Sequence, residues 1–264
     1  MNSVNQTLYI PLYGKAYVSR KGLFLHDPKA EEIWEKASFA LRGQSKWLAY
    51  YMGIRAAVFD EWTRQQMTAE PDAVVLHIGC GLDSRVLRVA RADQPWYDVD
   101  FPEVIAERKR FYLEDANYRM VAGDARECTW LAKLPKARKA IVVMEGVSMY
   151  LTNAECRAFV AALQNHFGQV ALLMDCYTVL AAKMSKIKNP VKEVGVLRVY
   201  GVDQPEVFEA EGIAFVREHE MTPQKQIDEL QGMEKRIFAK LYAGGFSRKL
   251  YRLFEYRTVT NGDK

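Results

Sequence analysis

The residues in this sequence best placed to do chemistry are carboxylates that close short apolar runs. Asp100, Asp124 and Glu145 follow the runs Tyr97–Val99, Tyr118–Ala122 and Ala140–Met144, and an earlier run, Val74–Ile78, closes on Gly79-Cys80-Gly81. Continuous apolar runs of this length read as strands buried on both faces, and open parallel sheets bind ligands beyond the carboxyl ends of their strands. A tight glycine turn from such a strand into a helix brings backbone and helix N-terminus close to a ligand. Asp100 lies 21 positions after Gly79, near the spacing of roughly 20 at which a carboxylate reaches a ribose diol. Each acidic residue taken singly is equally a helix cap, Asp100 before Pro102 above all. Several of them along one sheet edge make a site.

Arg55 is the other residue out of keeping with its neighbours. It falls inside the apolar stripe Leu48, Tyr51, Met52, Val58, Phe59 and Trp62 of a long helix opening at Ser45 and ending before Pro71. Such an arginine either snorkels to Asp60 or Glu61 or points its guanidinium at an anionic ligand group.

Charge narrows the ligand. The turn departs from GxGxxG only at Ser84, so the pattern by itself admits NAD. Asp124 and Glu145, however, put negative charge where a pyrophosphate would lie. S-adenosylmethionine has no phosphate; its sulfonium, ammonium and adenine amine suit carboxylates, and its single carboxylate suits Arg55. An NAD-dependent oxidoreductase is the competing reading, and it lacks an obvious Tyr-x-x-x-Lys or histidine proton donor.

The elements that must hold these residues alternate. Residues 1–28 read as an irregular, aromatic arm with Tyr9, Tyr13, Tyr17 and Phe24, followed by a helix from Asp27-Pro28 to about Leu41. After strand 74–78 come a helix near 83–91, strand 97–99, a helix from Pro102 with Val104, Ile105, Phe111 and Tyr112, strands 118–122 and 140–144, helix 153–167 and strand 170–174 ending on Asp175. A short helix at 205–210, a strand at 213–217, a helix near 233–242 and a strand at 253–259 complete the pattern. The order predicts an α/β fold, a mostly parallel sheet with helices on both faces. We expect residues 1–70 to pack as an arm and helices on a core of 71–264, with 178–202 as a lid whose Lys183, Lys186, Lys188 and Lys192 would attract an acidic substrate.

Bulk properties exclude several classes. The chain has 264 residues, 49% hydrophobic and 27% charged, with a net charge of +4, too mild to call for a polyanion. The four cysteines (Cys80, Cys128, Cys156, Cys176) and four histidines are scattered without metal-ligand spacing, which predicts reduced thiols and no metal. No apolar run approaches the roughly 20 residues of a membrane span, and no secretory leader is evident. The expectation is a cytoplasmic protein that binds neither membrane nor nucleic acid; composition leaves its oligomeric state open.

Taken together, the pieces Pro11-Leu12-Tyr13-Gly14-Lys15-Ala16, Asp27-Pro28-Lys29-Ala30, Ile54-Arg55…Phe59-Asp60, Gly79-Cys80-Gly81-Leu82-Asp83-Ser84-Arg85, Asp98-Val99-Asp100-Phe101-Pro102 and Glu145-Gly146-Val147-Ser148-Met149-Tyr150-Leu151 are specific in this order. The chain resembles the leucine carboxyl methyltransferase family, and within it the bacterial branch similar to tetracenomycin polyketide O-methyltransferase. The resemblance implies a class I methyltransferase: a Rossmann-like, seven-stranded, mostly parallel sheet whose last strand is antiparallel. It implies that Arg55 holds the methionine carboxylate of S-adenosylmethionine, that Gly79, Cys80 and Gly81 give backbone room, and that Asp100 with Phe101 receives the ribose. Asp124 would take the adenine amine beside Ala125, Glu145 and Gly146 would lie near the methionine end, and Tyr150 would orient the acceptor. Lys15 stands where the family often has arginine, and His77 where many other methyltransferases have an acidic residue.

The implied activity is methyl transfer from S-adenosylmethionine to a carboxylate or hydroxyl of a small, polyketide-like or otherwise acidic molecule; carboxyl methylation of a protein is an alternative. Positioning contributes most to such a displacement, up to about 7–11 kcal/mol. A carboxylate acceptor is ionised at pH 7, whereas a phenol, with a pKa near 10, needs a base. No histidine–carboxylate pair stands out, and His26 in the arm is the one candidate, so the sequence leans towards a carboxylate. Tyr13 and Tyr17 are candidate walls of the acceptor site.

Overall fold

The computed structural model describes residues 4–37, 45–185 and 199–259. The apolar runs form a seven-stranded sheet: β1 (Val74–Ile78), β2 (Trp96–Asp100), β3 (Tyr118–Ala122), β4 (Lys139–Met144), β5 (Gln169–Tyr177), β6 (Ile213–His219) and β7 (Tyr251–Thr258). Their order is β3-β2-β1-β4-β5-β7-β6; β1 to β5 are parallel, and β7 runs antiparallel between β5 and β6. The expected mostly parallel α/β sheet is therefore present. Every residue of β1 is buried, as a central strand covered on both faces requires.

Alternate residues of the strands serve two cores. Val75, Ile141, Val143 and Leu173 face one core with Ile54, Phe59 and Trp62, while Leu76, Val142, Met144 and Leu172 face the other with Phe159, Val160 and Leu163. The first core is covered by α1 (Val4–Arg20), α2 (Pro28–Ala37) and α3 (Lys46–Ala69), the second by α6 (Asn153–His166). Predicted starts hold where side chains cap: Asp27 accepts from the Ala30 amide at 2.9 Å, Ser45 accepts from the Trp47 amide, and Thr152 with Glu155 forms a capping box on α6.

Several expectations fail for identifiable reasons. The arm expected to be irregular is the 17-residue helix α1, with Pro11 inside it. Gly14 acts there as a contact surface, not a breaker: a Cβ on it would lie 2.6 Å from Met52 Cβ, and one on Gly53 would lie 2.6 Å from Val18. The two glycines let α1 and α3 cross closely, and that packing overrides the local breaker signal. The helix from Pro102, α5 (Pro102–Arg108), stops before Phe111 and Tyr112, and β5 continues through Asp175 to Tyr177 instead of ending at it. The helix near 83–91 is shorter, α4 (Arg85–Val89). Residues 205–208 form a 3-10 turn, and α9 (Gly232–Leu241) stands where expected. Helices α7 (Val179–Ser185), α8 (Gln224–Glu229) and α10 (Gly244–Arg248) have no counterpart among the expected elements. Of the proposed lid, residues 186–198, with Lys186, Lys188 and Lys192, lie outside the described residues, as does the end, beyond Ala37, of the helix expected from Asp27-Pro28 to about Leu41. Among the described residues no helix is long and apolar enough to cross a membrane.

Candidate active site

Register brings the strand ends side by side. Ile78 pairs with Val99 on β2 and Met144 on β4, and Asp100 pairs with Ala122 on β3. The residues that follow, Gly79, Asp124 and Glu145, therefore share one edge with Asp100. Gly79 has φ +65°, and a Cβ there would lie 2.1 Å from Val147, so no other residue fits this turn. Asp100 closes the turn from the next strand: its Oδ2 accepts from the Gly81 amide and its Oδ1 from the Phe101 amide, both at 2.8 Å. Arg108 braces the turn from α5. It donates to the Gly81 carbonyl at 3.0 Å, pairs with buried Asp98 and packs 4.0 Å from the centre of the Tyr112 ring.

These edges enclose a cleft of about 470 Å³. Arg55, Gly79, Gly81, Asp100, Phe101, Asp124, Ala125, Glu145, Gly146 and Tyr150 all line it. Cys80 does not: it is buried under the turn, its amide bonded to the Val99 carbonyl, and burial pushes its thiol pKa well up. At one end Phe101 and Ala125 flank Asp124, whose carboxylate is held by Arg126 Nε at 3.0 and 2.9 Å, with its pKa lowered despite partial burial. Burial raises Asp100 to about 6, even though its two amide bonds act to lower it. Among the described residues no basic group pairs with it.

The other end rests on a buried ion network. Arg55 donates Nε to Glu145 at 2.9 Å and Nη1 to the Tyr251 hydroxyl at 2.8 Å, and lies 3.2 Å from Asp175 Oδ2. Arg85 binds Glu145 and, at 2.7 Å, Asp60; Arg88 binds Asp60 and Asp27, each at 2.6 Å, and Asp83 at 2.9 Å; Lys15 binds Asp83 at 2.7 Å. Four cations thus face five carboxylates, Asp27, Asp60, Asp83, Glu145 and Asp175. Burial opposes their ionisation; the cations overcome it at Asp60, Asp83 and Glu145, which stay below the usual carboxylate range, but not at Asp175, which is raised. His77 sits at the edge of this network, its Nε2 3.2 Å from Arg85 Nη1 and its Nδ1 3.2 Å from Asp98, and burial lowers its pKa. A neutral imidazole therefore stands where an acidic residue is common.

A second cavity, of about 560 Å³, meets the first at Pro11, Arg55, Gly146 and Tyr150. Trp47, Leu48, Tyr51, Met52 and Arg55, spaced for one face of α3, form one wall; Met149, Tyr177, Met184, Tyr242, Phe246 and Tyr251 supply much of the rest. Arg55 is the one charged residue among its described lining.

Several of these residues escaped sequence reasoning. The arm does contribute a wall, but through Leu8, Pro11, Leu12 and Lys15 on one side of α1. Tyr13 and Tyr17 pack elsewhere, against Trp34 and Tyr50 at 5.1 and 5.9 Å between ring centres. The helical spacing 8, 11, 12, 15 was the available signal, hidden by treating the segment as irregular. Arg55 reaches neither Asp60 nor Glu61. His26 is exposed and lines neither cavity, so it is no base for a group bound there. The four cysteines are free, and no cluster among the described residues could hold a metal.

Several known proteins are similar to this chain in sequence or in fold. In Streptomyces glaucescens, the tetracenomycin polyketide synthesis O-methyltransferase TcmP is 29% identical over 263 residues, 97% of each chain. The S-adenosyl-L-methionine-dependent methyltransferase dpfgK of Gibberella zeae is 31% identical over 135 residues, 48% of this chain and 45% of its own. The fold matches that of magnesium protoporphyrin IX methyltransferase from Synechocystis PCC 6803, solved with bound SAH (TM-score 0.52, 14% identity, 97% of this chain and 100% of that one). It also matches a Thermobifida fusca YX structure (TM-score 0.60, 16% identity, 88% of each chain). A family model for leucine carboxyl methyltransferase matches residues 11–164, more than half the sequence and the part that carries the glycine turn, Asp100, Asp124 and Glu145. By that match, the chain belongs to the leucine carboxyl methyltransferase family.

Proposed function

We propose that this protein is an S-adenosylmethionine-dependent O-methyltransferase that holds the cofactor in the strand-end cleft and a small, largely apolar acceptor in the second cavity. The observation that carries the reading is the junction of the two spaces at Arg55, Gly146 and Tyr150. A cleft lined by Asp83, Asp100, Asp124 and Glu145 opens there onto an aromatic one.

The cleft residues fit the cofactor group by group. Asp100, with no cation paired to it among the described residues, accepts from the ribose diol. Asp124 accepts from the adenine amine and Phe101 with Ala125 covers the ring, provided Arg126, half exposed, shares or releases the carboxylate. Lys15 and Arg55 Nη2, the Arg55 nitrogen that neither Glu145 nor Tyr251 occupies, receive the methionine carboxylate. Glu145 and the excess of carboxylates over cations in the network favour a ligand of net positive charge. A pyrophosphate would meet Asp100, Asp124, Asp83 and Glu145 instead, which disfavours NAD.

When bound, S-adenosylmethionine supplies a methyl carbon already activated by its sulfonium. The chain's part is to orient and to exclude water. Trp47, Tyr51, Met52 and Met149 clasp the acceptor, and Tyr150 spans both spaces. The surroundings of its hydroxyl push the Tyr150 pKa up to about 12, so it is a donor at neutral pH. The relatives TcmP and dpfgK, named as an O-methyltransferase and an S-adenosyl-L-methionine-dependent methyltransferase, support the same assignment. Calorimetry tests it: S-adenosylhomocysteine should bind with micromolar affinity and NADH not at all. Binding of NADH without S-adenosylhomocysteine would overturn it.

A further inference from the structure

The carboxylate assigned to the adenine amine is already in use. Arg126 donates Nε to both oxygens of Asp124, at 3.0 and 2.9 Å, and Nη2 to Oδ2. Its own amide donates to Oδ1 at 2.9 Å. The guanidinium carbon stands 5.8 Å from the centre of the Phe101 ring, within reach of a cation–π contact. Arg126 borders the cleft together with Phe101, Asp124 and Ala125. A flat group that donates N–H to Asp124 beside the Phe101 ring is what an adenine would be in this place. Arg126 supplies both features from within the chain.

The surroundings let the guanidinium leave while the carboxylate stays. Trp130 fixes the Asp124 backbone: its Nε1 donates to the Asp124 carbonyl at 3.0 Å, and its ring packs so closely on Gly123 that a Cβ there would collide with it. The Arg126 amide belongs to the turn after β3, so its bond to Oδ1 keeps the carboxylate aimed when the side chain moves. The Asp124 side chain is 18% exposed and that of Arg126 49%, so one partner is anchored and the other reaches solvent. Among the described residues the guanidinium is paired with no carboxylate but Asp124. At the methionine end, by contrast, Arg55, Arg85 and Arg88 are buried and each is held by two or more carboxylates.

We propose that Arg126 is an internal stand-in for the adenine, which holds the adenine place in the free protein and is displaced from Asp124 when the cofactor binds. The proposal rests on the methyltransferase reading above. In the exchange the adenine amine donates to Oδ2 in place of the guanidinium, and the Arg126 amide stays on Oδ1. The released guanidinium turns to solvent, with Glu155 and Glu127 near enough to act on it. The cofactor must open an ion pair to enter, so Arg126 lowers the affinity for it. An exposed pair of this kind is worth up to about fivefold in an equilibrium constant.

Calorimetry with S-adenosylhomocysteine on the wild-type protein comes first, and absence of binding overturns both the function and this proposal. Where it binds, Arg126→Ala should bind it about fivefold more tightly at low salt, because the competing ion pair is gone. Adenosine, which carries the base without the methionine end, should gain by the same factor. The advantage of the variant should shrink as NaCl rises from about 0.05 M to about 1 M, since salt screens the pair in the wild type. A purely structural role for Arg126 predicts weaker binding and a lowered Tm in the variant. Thermal unfolding checks that the variant folds, and a crystal of the wild-type complex gives a measure that needs no variant: its Arg126 guanidinium should have left Asp124. Unchanged or weaker binding by folded Arg126→Ala, a gain that adenosine does not share or that salt does not diminish, or a guanidinium still on Asp124 in the complex would overturn the proposal and leave the methyltransferase reading standing.

Discussion

The pKa of Asp100 gives the cofactor cleft a measurable pH signature. With its carboxylate raised to about 6 in the free protein, only about one molecule in eleven is ionised there at pH 5, and nearly all are at pH 8. A ribose diol donates two hydrogen bonds and favours the ionised form, so binding must expel the proton. Affinity for S-adenosylhomocysteine should therefore rise with pH through about 6 and level off above it, weakening by about tenfold at pH 5, or about 1.4 kcal/mol. The contribution of the same residue to stability runs the other way. Its folded pKa lies above the ordinary aspartate value of 3.8, so the stabilisation of the free protein is complete below about 4 and is lost as pH rises to about 6, by at most about 3 kcal/mol. Calorimetry at pH 5 to 8, in buffers of different ionisation enthalpy, should find close to one proton released per cofactor at pH 5. Asp100→Asn should bind more weakly at every pH and lose the slope. A flat wild-type profile, or the same slope in the variant, would refute the assignment of Asp100 to the ribose.

Three substitutions probe the rest of the cleft. Gly79→Ala places a Cβ 2.1 Å from Val147 at a φ of +65°, so S-adenosylhomocysteine binding should be lost, with a lowered Tm on thermal unfolding. Arg108→Ala leaves Asp98 buried without its main cation and frees the Gly81 carbonyl, and chemical denaturation should show a loss of about 3–5 kcal/mol. Lys15→Met removes a cation from the methionine end. Calorimetry should record an affinity for S-adenosylhomocysteine lower by about tenfold, the worth of a hydrogen bond to a charged group.

Legibility in the sequence tracked how local the determining physics is. The edges of β1 to β4 could be read because apolar runs and the residues that end them are adjacent in the chain, and parallel pairing then places Asp100, Asp124 and Glu145 together. α1 could not be read, because Pro11 and Gly14 resemble breakers until Met52, 38 positions later, shows what the glycine is for. Arg55 was conspicuous in its stripe, yet its partner Glu145 lies 90 residues away. The least legible residue was Tyr251. The predicted final strand began at Leu253, two residues too late, and only the antiparallel insertion of β7 sets Tyr251 opposite Tyr177 and within reach of Asp175. Cys80 stands inside the glycine turn in sequence but is packed beneath its surface, which Gly79 and Gly81 carry.

If the strand-end cleft holds the cofactor as proposed, the cofactor's sulfur faces the aromatic cavity. A crystal structure with S-adenosylhomocysteine tests it directly. The ribose hydroxyls should lie on Asp100, the adenine between Phe101 and Ala125, and the sulfur at the passage formed by Arg55, Gly146 and Tyr150. An adenosylhomocysteine bound elsewhere, or one whose sulfur is walled off from the cavity that contains Tyr51, Tyr177 and Tyr251, would contradict it.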